Sequence, residues 1–284
     1  MINKEIGFIK CDKNITNNIF NNFNNLYIKS DGSFLYEKND GNLIREISYD
    51  SKKKLNVFDQ TIFFTILYLS HINYNKSKTD DNFDCYEENN FNQTSVFNCK
   101  RIITETTFYD ILKISSINKD NYIKKIKDSL NKIQRIMYKV YDENGNESSG
   151  GFINYCISKN KIKIHLFESF VESFKKNFNV INLDDRIKIG LKNSTSLKLN
   201  DYFCSFINEN STQKIKTDTI IKNIFCGNDE IYNNLTSKQL SKFRERIKKD
   251  MKLINDKTRS FEISEINGKG KESFYIIKRL KVKI

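Results

Sequence analysis

The sequence predicts an α+β protein in which a short run of helices closed by a β-hairpin occurs twice, behind an irregular N-terminal extension. Three observations support this. Apolar residues recur at helical spacing in a series of segments from residue 56 onward. Two of these series end in paired β-like segments around a turn rich in glycine and polar residues. Positive charge gathers on the last helix and the hairpin after it, instead of spreading along the chain.

The chain has 284 residues, enough for one large domain or two ordinary ones, and its 22 Phe and 14 Tyr supply bulk for packed cores. Disordered chains are poor in aromatics, so the composition argues against global disorder. The net charge of +13 points toward nucleic acid or another anionic surface. The chain is also crowded with Asn, Lys and Ile and lacks Pro and Trp, as an A/T-rich coding sequence would produce. Composition alone therefore leaves the lysine excess open between coding bias and an anionic partner. The six cysteines (Cys11, Cys85, Cys99, Cys156, Cys204, Cys226) form no CxxC pair, which predicts free, mostly packed thiols. "MINKEIGFIKCDKN" is broken by charges, and the longest apolar run, Ile62 to Leu69, is too short for a membrane span. A soluble, cytoplasmic protein is expected.

Residues 1–52 read as the extension, with turn signals at "SDG" and "NDGN" marking one hairpin. "NVFDQTIFFTILYLSHI" places Phe58, Ile62, Ile66 and Leu69 at helical spacing with a wide apolar face, a core helix. Residues 73–99 lose that pattern and turn acidic, which predicts a long insertion. "KRIITETTFYDILKIS" gives a β-like entry and a helix with Phe108, Ile111 and Leu112. A second helix follows, with Asn118 as its cap and Tyr122, Ile126, Leu130 and Ile133 on one stripe. "IMYKVYDE" and "GFINYCIS" are expected to pair as a hairpin across "NGNESSGG". Residues 161–192 hold the strand "KIKIHLF", the helix "ESFVESFKKNF" and the segment "NLDDRIKIGLK".

The same order then returns. "TSLKLNDYFCSFI" is a helix, and "IKTDTIIKNIFCG" gives a second, stopped at Gly227. "LTSKQLSKFRERIKKDMKLI" gives a third, capped by Thr236 or Ser237. "SFEISEI" and "SFYIIKRLKVKI" close a hairpin across "NGKGKE". A helix, a turn, a second helix and a hairpin make a winged helix. The expected division is therefore a first winged-helix domain at 53–180 and a second at 181–284, with a boundary near 178–183.

On the third helix of the second unit, Leu240, Phe243, Ile247, Met251 and Ile254 fall on one stripe that must face a core. Lys238, Lys242 and Lys249 lie opposite, flanked by Arg246 and Lys252 and interrupted by Glu245 alone. A face selected only for solubility mixes signs. Residues 236–284 hold 15 Lys and Arg against 6 Asp and Glu, and four of the eight arginines, Arg244, Arg246, Arg259 and Arg279. Guanidinium forks suit phosphates and guanine edges. The candidate duplex-binding residues of this unit are Lys238, Lys242, Arg244, Arg246, Lys249 and Lys252, with Lys269 and Lys271 on the hairpin loop. The first unit repeats the design with weaker charge, through Lys124, Lys125, Lys127, Lys132 and Arg135; Lys127 and Lys132 also fit ordinary solvated positions.

From residue 53 to 281 the series resembles plasmid replication initiators of the TrfA-like Rep group, which carry two tandem winged-helix domains. The resemblance rests on order and pattern. "DSLNKIQR" resembles the end of that group's first recognition helix, and "RIKIGLKNSTSLKLNDYF" resembles the entry to its second domain. It implies binding to directly repeated double-stranded origin sequences (iterons), opening of adjacent A/T-rich duplex, and recruitment of a host initiator and replicative helicase. It further implies a homodimer contact through the first domain. Residues 1–50 and 73–99 have no counterpart in the group.

No catalytic, metal or cofactor chemistry is expected. His71 and His165 are the only histidines and are far apart, which disfavours a relaxase-type metal pair. "NGKGKES" lacks the first glycine and the strand-to-helix setting of a phosphate-binding loop. Cys85 and Cys99 lack zinc-site pairing. Asp184–Asp185 reads as a solvated helix start. A winged-helix transcription regulator, and a scaffold whose winged helices bind protein, remain as alternatives to the initiator.

Overall fold

The computed structural model describes residues 8–11, 27–28, 34–40, 43–49, 55–79, 86–88, 100–117, 120–141, 147–166, 179–226, 229–267 and 273–281. Its main bodies are two compact units, Leu26–Phe178 and Asn179–Ile284. Mixed helix and small antiparallel sheets make it α+β. Two short strands, β1 (Phe8–Cys11) and β11 (Asn179–Asn182), lie outside the sheets described below.

The first unit is organised around α1 (Val57–Thr79), in which Ile62, Phe63, Phe64, Ile66 and Leu67 are buried. Burial on all sides is why its apolar positions show little helical asymmetry. Asn56 opens it: its Oδ1 accepts from the N–H groups of Phe58 (2.8 Å) and Asp59 (3.1 Å), while Asp59 Oδ2 accepts from Asn56 N–H (2.9 Å). The helix runs on through the polar stretch to Thr79, beyond the expected end, so residues 73–79 are helical and not insertion.

After β5 (Tyr86–Glu88) come β6 (Lys100–Thr107), α2 (Phe108–Ser115) and α3 (Tyr122–Ile133). Thr107 and Asp110 form a reciprocal cap on α2. The cap of α3 is Asn121 in a left-handed conformation (φ 53°), not Asn118, and its side chain makes no capping bond.

The strands that follow differ from the expected hairpin. β7 (Ile136–Tyr141) pairs with β8 (Glu147–Gly151), and its other edge takes β4 (Leu43–Tyr49) of the hairpin β3 (Phe34–Asp40)–β4. With β2 (Tyr27–Ile28) this makes a five-stranded sheet, so residues 27–28, 34–40 and 43–49 are strands of that sheet and not irregular extension. The chain then passes through the fully buried Phe152, whose N–H donates to Ile136 O (2.9 Å), into β9 (Ile153–Ser158). β9 pairs with β10 (Lys161–Leu166), which also pairs with β6. The reason is in β10: Ile162, Ile164 and Leu166 alternate as fully buried residues, so it takes the position between two partners. The hairpin that follows the helices in this unit is therefore β9–β10, turning at Lys159 (φ 55°). The predicted helix "ESFVESFKKNF" and most of the acidic segment 80–99 lie outside the described residues.

The second unit begins with α4 (Leu183–Ile189), where Asn182 Oδ1 accepts from the N–H groups of Asp184 (2.9 Å) and Asp185 (3.4 Å). Asp185 is not a solvated helix start. It is fully buried and accepts hydrogen bonds from the Ser260 hydroxyl and Arg259 N–H (3.2 Å). α5 (Ser194–Phe206) follows, and the buried Arg186 pairs with the buried Asp201. Then come β12 (Thr212–Lys216) and α6 (Thr217–Ile221), which continues as a π-helical turn over Lys222–Cys226; α7 (Asp229–Asn233) and α8 (Ser237–Lys257) complete the helices. β13 (Phe261–Asn267) and β14 (Ser273–Arg279) form the hairpin, and β14 also pairs with β12. Cys204 and Cys226 are buried and Cys156 is exposed; burial pushes the Cys204 thiol up to about 12.

The two units share one plan. The orders β6-β10-β9 and β12-β14-β13 are the same topology. Ile162 pairs with Thr106 as Tyr275 pairs with Ile215, and Thr107 precedes α2 as Lys216 precedes α6. Ile111 and Leu112 match the buried Ile220 and Ile221; Ile126, Leu130 and Ile133 of α3 match the buried Ile247, Met251 and Ile254 of α8. A polar contact confirms the alignment. The Ser129 hydroxyl of α3 donates to Asp59 near the start of α1 (2.6 Å), and Ser196 near the start of α5 donates to Asp250 of α8 (2.7 Å). Donor and acceptor have exchanged helices, but the tie is the same. β7 and β8 lie between α3 and its hairpin in the first unit and have no equivalent between α8 and β13.

Candidate nucleic-acid interface

In the second unit α8 carries the surface. Thr236 caps it reciprocally with Gln239: the Thr236 hydroxyl accepts from Gln239 N–H (3.3 Å), and Gln239 Oε1 accepts from Thr236 N–H (2.8 Å). Thr236→Ala is expected to cost about 1 kcal/mol, measurable as a lower urea midpoint at unchanged slope. Only the C-terminal half of the predicted stripe is fully buried, through Ile247, Met251 and Ile254; Leu240 and Phe243 are half-exposed. Phe243 stacks on Phe225 of the π-helical turn (centroids 4.5 Å apart), which sets the angle of the N-terminal half.

The candidate cations divide into free and engaged groups. Lys238, Lys242, Lys249 and Lys252 are exposed and have no ion pair among the described residues. Arg246 is exposed, lies over the Phe225 ring (5.9 Å) and reaches Asp250 only at 3.9 Å. Arg244 is engaged: its Nη2 and Nε donate to Asp218 Oδ1 (2.9 and 3.3 Å), tying α8 to α6. Lys269 and Lys271 lie outside the described residues.

In the first unit Lys124, Lys125 and Lys127 are exposed on α3, and Arg135 is exposed in the turn just after it. Lys127 lies 5.6 Å from the centre of the Phe108 ring. Lys132 differs from the rest. Its ammonium donates to the buried Asp59 carboxylate (2.8 Å), so it neutralises a core charge that Ser129 also bonds. An open groove of about 620 Å³ runs along the outer side of α3, lined by residues that include Lys124, Lys127, Asp128 and Asn131.

Three participants escaped the sequence. Tyr155 of β9 donates its hydroxyl to Asn131 Oδ1 (2.7 Å), which joins the hairpin to the outer face of α3. The mistaken strand pairing hid this contact, since no local signal places residue 155 beside residue 131. Phe225 supplies the ring under Arg246. Lys198 of α5 is the third: burial first, and then the charge of Arg246, holds its ammonium below the usual lysine range. Asp250 is pushed up by its burial, against the pull of its Ser196 hydrogen bond and of Arg246. Cation and carboxylate thus meet where α5 and α8 join. Among the described residues no cluster of side chains suits a metal ion, and no helix is long and apolar enough to cross a membrane.

No family model matches the chain, and no curated protein matches it. Solved structures do. The crystal structure of selenomethionine derivatives of domains 2 and 3 of RctB matches with a TM-score of 0.57 at 12% identity, covering 97% of this chain and 100% of that one. A second crystal structure of RctB domains 2–3 matches with a TM-score of 0.47 at 13% identity, over 88% of this chain and 91% of that one. At this identity the likeness is one of fold: the two units follow the architecture of RctB domains 2 and 3.

Proposed function

We propose that the chain is a sequence-specific duplex-DNA-binding protein of the replication-initiator type, built from two tandem winged-helix units and acting without catalysis. The observation that carries this reading is the exposed basic face at an equivalent place in both units, where Lys124, Lys125 and Lys127 of α3 and Lys238, Lys242, Lys249 and Lys252 of α8 have no ion pair among the described residues. In a winged helix that element enters the major groove while the hairpin follows the backbone. The fold shared with domains 2 and 3 of RctB, a replication initiator, supports the same reading. So does the resemblance of residues 53–281 to TrfA-like plasmid initiators. On this reading the binding sites are direct repeats in a replication origin, the first unit provides a dimer contact, and a host initiator and helicase are recruited to the opened origin.

In this role Lys238, Lys242, Lys249 and Lys252 neutralise phosphates, Arg246 is held by Phe225 for a phosphate or guanine edge, and Lys124, Lys125 and Arg135 do the same from the first unit. Lys132 and Arg244 hold their helices in place. Lys242→Ala with Arg246→Ala is expected to weaken duplex binding in an anisotropy titration and to flatten the salt slope by about two units, whereas unchanged binding contradicts the role of α8. Selection of bound fragments from the source replicon tests the wider reading: enrichment of an array of direct repeats supports an initiator. Enrichment of isolated promoter sites supports a winged-helix transcription regulator instead, and no retained duplex at any salt contradicts both.

A further inference from the structure

The structural equivalence of α3 and α8 aligns their exposed faces residue by residue. With Ile126, Leu130 and Ile133 matched to Ile247, Met251 and Ile254, Lys124 falls on Glu245 and Asp128 falls on Lys249. One face thus reads lysine then aspartate across one helical turn, and the other reads glutamate then lysine. The charge order is reversed at the same two positions. All four side chains are exposed, and none has an ion pair among the described residues, although each acid stands four residues from its lysine.

A carboxylate in the middle of a face turned to phosphates repels them and lowers affinity for every duplex. It becomes favourable only where it accepts a hydrogen bond from a base, and in the major groove the exposed amino groups belong to cytosine and adenine. A lysine ammonium donates to the purine acceptors N7 and O6 instead. In the first unit the acid has a fixed neighbour: Asn131, three residues on, has its Oδ1 engaged by Tyr155, which turns its amide donors away from that contact. The equivalent residue in the second unit is Lys252.

Resting on the duplex-DNA reading above, we propose that Asp128 and Glu245 are the base-discriminating residues of the two units. Their exchanged positions place the acid one helical turn apart on the two helices, so each acid sets the base preference of its own unit at a different point of the face. The acids also act against wrong partners, since an unsatisfied carboxylate penalises any duplex without an amino group at that place.

The test uses the full chain and a random duplex library, with enriched sequences read for wild type, Asp128→Asn, Glu245→Gln and the exchange variant Lys124→Glu/Asp128→Lys. All substitutions are at exposed positions, so circular dichroism is expected to be unchanged. Wild type is expected to show a base preference for each unit. Asp128→Asn relaxes base preference by roughly tenfold in one unit only, and Glu245→Gln does so in the other. Both variants bind unselected duplex more tightly than wild type, and the exchange variant makes the two preferences more alike. Unchanged preference in both units, with only the gain on unselected duplex, overturns this inference and leaves the DNA-binding reading intact. Failure of wild type to retain any duplex overturns both.

Discussion

Replacing Asp201 with alanine is expected to destabilise the second unit by about 3–5 kcal/mol, because it leaves the Arg186 guanidinium buried without its counter-charge. Both partners are shielded: Arg186 is 4% exposed and Asp201 is fully buried. Burial pushes the Asp201 carboxyl up, against the pull of the Arg186 charge and of its hydrogen bonds. The pair joins α4 to α5, and the neighbouring Asp185 joins α4 to the start of β13. Loss of the charge should therefore loosen the unit that carries α8. A urea titration followed by circular dichroism measures the cost. Replacing both partners with apolar residues of similar volume, Arg186→Met and Asp201→Leu, is expected to recover most of it, since no buried charge is then left alone. A single-variant cost below about 1 kcal/mol would show that the site admits water.

The second large effect lies on the surface. Substituting Lys238, Lys242, Lys249 and Lys252 together with alanine is expected to weaken duplex binding on the order of 10²–10³-fold at low salt and to reduce the salt slope by about 3.6, four phosphates at about 0.9 each. Stability should change little, because these side chains are exposed and unpaired. Lys132→Ala gives the contrast. Its partner Asp59 is buried, so the first unit loses stability rather than one phosphate contact. A stability loss together with an unchanged salt slope separates the two kinds of lysine.

The parts of this molecule that were legible in its sequence are those set by local rules. The Thr236 cap, the apolar spacing of Ile247, Met251 and Ile254, and the entry strand before Phe108 all follow from residues a few positions apart. What escaped was decided at long range. β7 and β9 each suit a strand while β8 (ESSGG) reads as turn, and only β4 and β10, far away in sequence, determine which pairs form. Lys132 looks like Lys124 until Asp59, 73 residues earlier, is placed beside it. The equivalence of the units is hidden for a related reason. Burial repeats while chemistry changes, so Phe64 of α1 becomes Asp201 of α5, and Leu166 of β10 becomes Arg279 of β14. Arg279 then donates to the carbonyls of Cys204 (2.6 Å) and Ile207 (2.7 Å) at the end of α5, which a leucine cannot do.

Reversed charges at equivalent positions have the same origin. Two units that bury the same pattern are free to diverge on the faces they present, and α3 and α8 have done so at Lys124 and Glu245 and at Asp128 and Lys249. Shared packing holds both helices to one geometry, while the exposed residues differ.

The most direct test of the central claim, that α3 and α8 present basic faces to duplex DNA, is an equilibrium titration of the full chain against duplex over a series of salt concentrations. A steep linear fall of log affinity with log salt, reduced by about 3.6 when the four α8 lysines are removed, is the predicted result. An affinity that does not respond to salt, or a slope unchanged by the four substitutions, would contradict it.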